Sequence, residues 1–240
     1  MKYLFLKKHF GTLCMLLCFS IVTIAQNTKP FVIPELKEWK GKVGFFVPSA
    51  QSRIVYGNDA LQNVARQFAN DYEAMFGFRL EVTAGKPRSG DFYLALKKDR
   101  SLGKEGYVVD VDDCVKVSAP EIVGVYWATR TLLQMGELAD NGQLSKGVIR
   151  DFPDYELRGF MLDCGRKYIP MSYLKGLSKV LSYYKMNVLH VHLNDNGFKQ
   201  YFNHDWNKTY AAFRLECETF PGLTARDGYY TKREFIDFQK

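Results

Sequence analysis

Two short polar clusters in this chain combine the residue types that recognise hydroxyl groups: Asp163-Cys164-Gly165-Arg166 and Asn194-Asp195-Asn196-Gly197. A guanidinium presents a planar fork of donors, and a carboxylate presents only acceptors. Facing one small pocket, Arg166 and Asp195 can hold adjacent sugar hydroxyls in a single orientation. The same two groups can instead form a structural ion pair that closes the end of a barrel, and residue type does not separate these readings. His190 and His192 alternate with Val191, so on a strand both rings point to one side, a spacing some metal hydrolases use for two ligands. A metal site needs a third ligand on that side. Asp195 has the opposite parity and His204 lies far along a loop, which favours core histidines bonded to backbone.

The remaining reactive types point to less. Gly85-Lys86 is no phosphate loop, because Leu80 stands where the required glycine would be and no Ser or Thr follows Lys86. Tyr201, Trp206 and Tyr210 fall in the loop after Asp195, where they either anchor the loop or stack on the apolar face of a sugar. Asn207-Lys208-Thr209 is a formal glycosylation triplet. Cys114, Cys164 and Cys217 are odd in number, widely spaced and lack a C-x-x-C pair, so they read as buried thiols.

Positioning Arg166 beside Asp195 requires a pair of parallel strands. Gly159 to Asp163 reads as a buried strand, and Leu174, Leu177, Leu181 and Tyr184 mark one face of a helix. Val188 to Leu193 reads as a second buried strand. Strand, helix, strand implies a parallel βα repeat, in which groups that act on ligands gather at the carboxyl ends of the strands. Neighbouring strands lie about 4.8 Å apart, so distance along the chain is no obstacle to contact. A long loop from Asn194 to Tyr230 follows. Thr231, with Glu234 three residues on, then caps a helix still running at Lys240. Two strands cannot close a barrel, for which roughly 200 to 250 residues are usual, so the chain is expected to be the front of a longer protein.

Upstream, strands are expected at Val43 to Pro48, Arg53 to Tyr56, Leu80 to Thr83, Phe92 to Leu96, Tyr107 to Val111 and Cys114 to Ser118. Leu61, Val64, Ala65, Phe68, Tyr72, Met75 and Phe76 repeat at helical spacing, capped by Asn58 or Asp59 and stopped by Gly77. Asp112-Asp113 fits a tight turn. Ser118 and Glu121 stand at capping-box spacing before a second helix, through Ile122, Val125, Thr129 and Leu132, that ends near Gly136. These elements compose an α+β domain from residue 31 to about 148, and Ile149-Arg150-Asp151-Phe152-Pro153-Asp154 reads as a polar hinge.

With 47% hydrophobic and 25% charged residues the 240-residue chain can bury a real core, which excludes disorder as its main state. The formal charge is +7, but Lys2, Lys7 and Lys8 open an apolar export signal with cleavage expected after Ala25. Its removal leaves 30 basic against 26 acidic residues, scattered rather than massed, and excludes a nucleic-acid surface. The leader's apolar run is about 15 residues, short of the roughly 20 a membrane span requires. Lipid attachment at Cys18 is disfavoured by the large Leu17 before it. A periplasmic or extracellular location is expected.

The run from Asp151 to Arg166 (Asp151-Phe152-Pro153-Asp154-Tyr155-Glu156-Leu157-Arg158-Gly159-Phe160-Met161-Leu162-Asp163-Cys164-Gly165-Arg166), with Tyr184-Lys185-Met186-Asn187-Val188-Leu189-His190-Val191-His192-Leu193-Asn194-Asp195, resembles the start of the catalytic barrel of glycoside hydrolase family 20, the β-N-acetylhexosaminidases. Gly106-Tyr107-Val108-Val109 and Gly124 to Leu133 resemble the small domain that precedes that barrel. The resemblance implies that Arg166 holds hydroxyls of a terminal N-acetylated sugar, that Asp195 belongs to the same network, and that Arg158 is structural. It also implies a substrate-assisted mechanism, in which the sugar's acetamido oxygen attacks the anomeric carbon and an adjacent Asp-Glu pair orients it and protonates the leaving oxygen. No Asp-Glu dipeptide stands in the family's position here, so that pair is expected beyond Lys240 and the 240-residue chain alone is expected to be inactive. Lys167, and Asn196, Gly197 and Phe198, depart from the common pattern at positions that bear on sugar preference.

The expected architecture is therefore an α+β N-terminal domain (residues 26–150, after a signal at 1–25) followed by the first βα units of an incomplete (β/α)8 TIM barrel (residues 151–240). The expected partners are glycans with terminal N-acetylhexosamine, and no cofactor is expected. A non-catalytic glycan-binding module and a metal-dependent barrel hydrolase using His190 and His192 are the alternatives.

Overall fold

The computed structural model describes residues 25–139, 142–196, 200, 203–204, 211–220 and 222–240. The leader with Cys14 and Cys18, the loop aromatics Tyr201, Trp206 and Tyr210, and Asn207-Lys208-Thr209 lie outside the described residues. The first part contains β1 (Glu38–Phe46), β2 (Arg53–Tyr56), α1 (Gln62–Phe76), β3 (Glu81–Ala84), β4 (Phe92–Leu96), β5 (Tyr107–Val111), β6 (Val115–Ala119), α2 (Ile122–Glu137) and β7 (Leu144–Asp151). Then come β8 (Gly159–Asp163), α3 (Met171–Tyr183), β9 (Val188–His192), β10 (Asn194–Asn196), β11 (Ala211–Phe213) and α4 (Lys232–Gln239).

Strands β1 to β7 form one mixed sheet in the order β1-β7-β5-β6-β4-β2-β3. β1, β7, β5 and β6 pair antiparallel, whereas β6, β4, β2 and β3 run parallel. Period-two alternation buries Tyr107, Val109 and Val111 of β5 and Val115, Val117 and Ala119 of β6. α1 and α2 close that face, with Phe68, Tyr72, Val125 and Leu132 in the same core. The ends of α1 follow its sequence. Asn58 accepts from the Ala60 N–H in the short 3-10 turn that leads in, and Gly77, at φ 80°, makes the left-handed stop.

Three upstream expectations need correction. β1 begins at Glu38 rather than Val43, because its register along β7 continues through a bulge between Gly41 and Phe45. Leu144 to Val148 belong to β7 with Ile149 to Asp151, so the polar segment first read as a hinge starts inside a strand. The pairing of Gly147 with both Gly41 and Val111 overrides a local composition poor in strand formers. Ser118 sits in β6 and does not cap α2, whose N-cap Glu121 makes no side-chain bond.

Asp91, just before β4, is almost wholly buried and accepts hydrogen bonds from the Arg53 N–H (3.2 Å), the Arg53 guanidinium (3.2 and 2.6 Å) and the Arg88 N–H (2.9 Å). Burial pushes its carboxyl up, but these donors outweigh burial and hold it below the usual range. A lowered carboxyl stabilises the fold fully above the unfolded value and loses that contribution as pH falls through the folded one. Asp91→Ala is expected to cost about 2–3 kcal/mol near neutral pH, less than a fully buried pair because Arg53 keeps access to water. Urea denaturation should show the gap between wild type and variant closing below about pH 4; an undiminished gap at low pH would contradict this account.

The second part begins as a parallel βα unit. β8 pairs with β9 from Gly159↔Val188 to Asp163↔His192, with α3 between them. Both strands were expected to be buried, yet Phe160 (43% exposed), Met161 (55%) and Val188 (38%) are open to solvent. Among the described residues no third strand pairs with either edge of this two-stranded sheet, which leaves these apolar side chains only partly packed. Within the long loop, β10 and β11 form a short antiparallel hairpin. Thr231 and Glu234 form the expected capping box on α4. No helix among the described residues is long and apolar enough to cross a membrane.

A polar seam joins the two parts. Lys185, held at φ 58° after α3, donates to Asp151 (3.1 Å) and to the Tyr107 hydroxyl (2.7 Å), all three buried. Burial lowers the Lys185 ammonium and raises the Tyr107 phenol. Arg158 pairs with Glu105 and donates to the Lys185 carbonyl (2.8 Å), consistent with a structural arginine at the entrance to β8.

Candidate active site

The parallel register brings Asp163 and His192 side by side at the carboxyl ends of β8 and β9. The Cys164 N–H continues the ladder to the His192 carbonyl (2.9 Å), after which the chain turns at Gly165. A Cβ at Gly165 would stand 2.7 Å from the Asp195 nitrogen and 2.9 Å from the Asn194 carbonyl carbon. Only glycine lets the two polar clusters approach this closely.

Arg166 then folds back. Its N–H donates to Asp163 Oδ1 (3.0 Å), Nη1 to Asp163 Oδ2 (2.6 Å), and Nη2 lies 2.8 Å from Asp195 Oδ2. The two residues singled out from sequence therefore converge, as the parallel arrangement required. His192 Nε2 reaches the same Asp195 oxygen at 2.8 Å. Burial pushes the Asp163 carboxyl up, but the Arg166 backbone and guanidinium bonds prevail and hold it below its usual range. The Arg166 and Asp195 side chains keep 36% and 21% of their exposure, so a ligand can reach them. A guanidinium fixed by two carboxylates is a preorganised donor set, and Asp195 beside it supplies acceptors.

Asp195 was assigned to the wrong side of the strand. The chain leaves β9 at His192 and re-enters extended structure at Asn194, so the break at Leu193 ends the parity rule and turns the carboxylate back onto His192. The histidines are not core residues either: His190 is exposed and His192 only half-buried. Their rings lie on one side, 6.4 Å apart. Among the described residues no group of three or more His, Cys, Asp or Glu is arranged to hold a metal. Of the three thiols, Cys164 is buried and Cys114 and Cys217 are half-buried; all three are free.

Sequence reasoning missed Arg214. Its side chain is buried, with Nε donating to the Cys164 carbonyl (2.9 Å), Nη2 to the Gly165 carbonyl (3.2 Å), and Nη1 to the Gly228 carbonyl (2.9 Å) and Asp227. Its own N–H bonds Leu193 (2.9 Å). The Arg214 guanidinium thus ties the turn that carries Arg166 to the Asp227-Gly228 segment, while the backbone N–H of the same residue holds the strand end that leads to Asp195. Nothing in the composition around position 214 signals this.

A small α+β domain feeding a parallel βα unit, with an ion-paired arginine and aspartate at the strands' carboxyl ends, defines a class of two-part chains. The chain belongs to glycosyl hydrolase family 20: residues 29–152 match the family's domain 2 and residues 155–237 its catalytic domain. It is 31% identical over 137 residues to a beta-hexosaminidase of Vibrio furnissii, covering 56% of this chain and 20% of that protein. It is 23% identical over 260 residues to one of Porphyromonas gingivalis, covering 95% and 32%. Among solved structures it is similar in fold to a Streptomyces plicatus N-acetyl-beta-hexosaminidase in complex with thio-NAglucal (TM-score 0.68, 24% identity, 90% of this chain and 44% of that one). A similar match is to a Vibrio harveyi exo beta-N-acetylglucosaminidase in complex with N-acetylglucosamine (TM-score 0.70, 22% identity, 89% and 34%). The chain thus spans between a fifth and a half of the length of these relatives.

Proposed function

We propose that this chain is the amino-terminal portion of an exported glycoside hydrolase that removes terminal β-linked N-acetylhexosamine from glycans. The single observation that carries this reading is the 2.8 Å contact between Arg166 and Asp195 at the ends of consecutive parallel strands, where a (β/α)8 barrel gathers its active groups. In this reading Arg166 donates to two neighbouring hydroxyls of the terminal sugar, and Asp195, steadied by His192, accepts from the same ring. These residues bind and orient. Bond cleavage follows the substrate-assisted route, with the acetamido oxygen as nucleophile and a carboxylate pair supplied elsewhere in the whole protein. The family membership and the beta-hexosaminidase names of its relatives support this choice over a binding module or a metal hydrolase.

An aryl N-acetylglucosaminide assay tests the proposal. The full-length product of the gene is expected to release the aryl alcohol, and the 240-residue chain alone to show no turnover above the uncatalysed rate. Turnover by the short chain, or a full-length product that binds N-acetylglucosamine without cleaving the glycoside, would overturn it.

A further inference from the structure

The cleft of about 590 Å³ along the seam lies at the amino ends of β8 and β9, roughly 16 Å of strand away from Arg166 and Asp195. Its volume is in the range of small-ligand sites. Four cations and four carboxylates line it, and each cation is paired with a carboxylate: Lys29 with Glu35 (2.5 Å), Lys37 with Asp154, Arg158 with Glu105, and Lys185 with Asp151 (3.1 Å). The lining is therefore neutral in sum. An anionic or cationic ligand would find no unbalanced charge to pay for its desolvation, which argues against a nucleotide, a phosphate or a polyamine.

A neutral polyhydroxylated ligand meets no such barrier. The Lys29–Glu35 and Lys37–Asp154 pairs at the mouth of the cleft expose both donors and acceptors, and a hydroxyl can donate to the carboxylate while accepting from the cation. The Arg158–Glu105 and Lys185–Asp151 pairs are largely covered and form its floor. Aromatic surface is present in the same cleft: Phe152 forms part of the wall, and Tyr155, 75% exposed, stands at the rim. Such rings match the apolar face of a pyranose. We propose that the seam cleft is a second, non-catalytic binding site for a neutral oligosaccharide. It lies at the opposite end of the strands from Arg166 and Asp195, so it stands or falls independently of the function assigned to that pair.

Calorimetric titration of the 240-residue chain and of the full-length protein with a linear β-1,4 N-acetylglucosamine trisaccharide, and separately with maltotriose, tests this. Saturable binding of at least one trisaccharide is expected, weakened about tenfold by Tyr155→Ala or Phe152→Ala and retained in Arg166→Ala. Tyr155 is exposed enough for its truncation to leave the fold intact, which an unchanged denaturation midpoint would verify. Absence of binding by both sugars, or binding abolished by Arg166→Ala yet untouched by Tyr155→Ala and Phe152→Ala, would overturn the proposal. Loss of hydrolysis in Arg166→Ala with seam binding intact would separate the two sites.

Discussion

Arg166→Ala in the full-length protein is expected to lower kcat/KM on an aryl N-acetylglucosaminide by about 10²–10³-fold, with the denaturation midpoint almost unchanged. On the proposed reading the guanidinium gives two charge-assisted hydrogen bonds to the sugar ring, each worth about tenfold to several tenfold. Its loss leaves Asp163 and Asp195 facing each other without the cation between them, which further disfavours bringing hydroxyl oxygens into the site. Stability should change little because the side chain is partly solvent-exposed. Arg166→Lys is expected to recover only a small part of the loss, since a point charge cannot span two acceptors as a planar fork does. A kcat/KM within about threefold of wild type would leave the pair as a structural contact only.

Arg214→Leu should show the opposite balance, with a loss of stability of about 3–5 kcal/mol and a loss of sugar binding as its consequence. The buried guanidinium satisfies the Cys164, Gly165 and Gly228 carbonyls and pairs with Asp227, and leucine leaves those carbonyls without that donor in an apolar pocket. The turn that holds Arg166 against Asp195 then loses its support from below. Urea denaturation measures the first effect, and hydrogen exchange at residues 164–166 measures the second. Wild-type protection at those amides in a destabilised variant would show that Arg214 stabilises the fold without positioning the site.

The contrast between these two arginines shows what is legible in a sequence. Arg166 could be found because it follows a short apolar run, and the run–helix–run pattern dictates parallel strands with a shared carboxyl end. α1 was legible for similar reasons: its apolar face repeats at helical spacing, with Asn58 before it and Gly77 after it. Arg214 carries no periodicity, since its partners are up to 50 residues away and exist only once β8, β9 and the hairpin have assembled. The same holds for His192 and Asp195, whose contact depends on a break at Leu193 that no propensity marks. β7 was missed along its whole length because Lys146 and Gly147 disguise a strand whose existence depends on β1 and β5 on either side.

The Lys185–Asp151–Tyr107 cluster also bears on how the molecule can be dissected. A cut just before Asp151 looks natural from composition, yet it would strip Tyr107 of its carboxylate partner and sever β7 from its last residue. A cut just after it would strand a carboxylate on one piece and an ammonium on the other, each on a surface shaped to exclude water. Proteolysis or gene truncation at this junction therefore yields two damaged halves rather than two modules, and any engineered swap of the front domain must carry a matching acid, phenol and amine across the join.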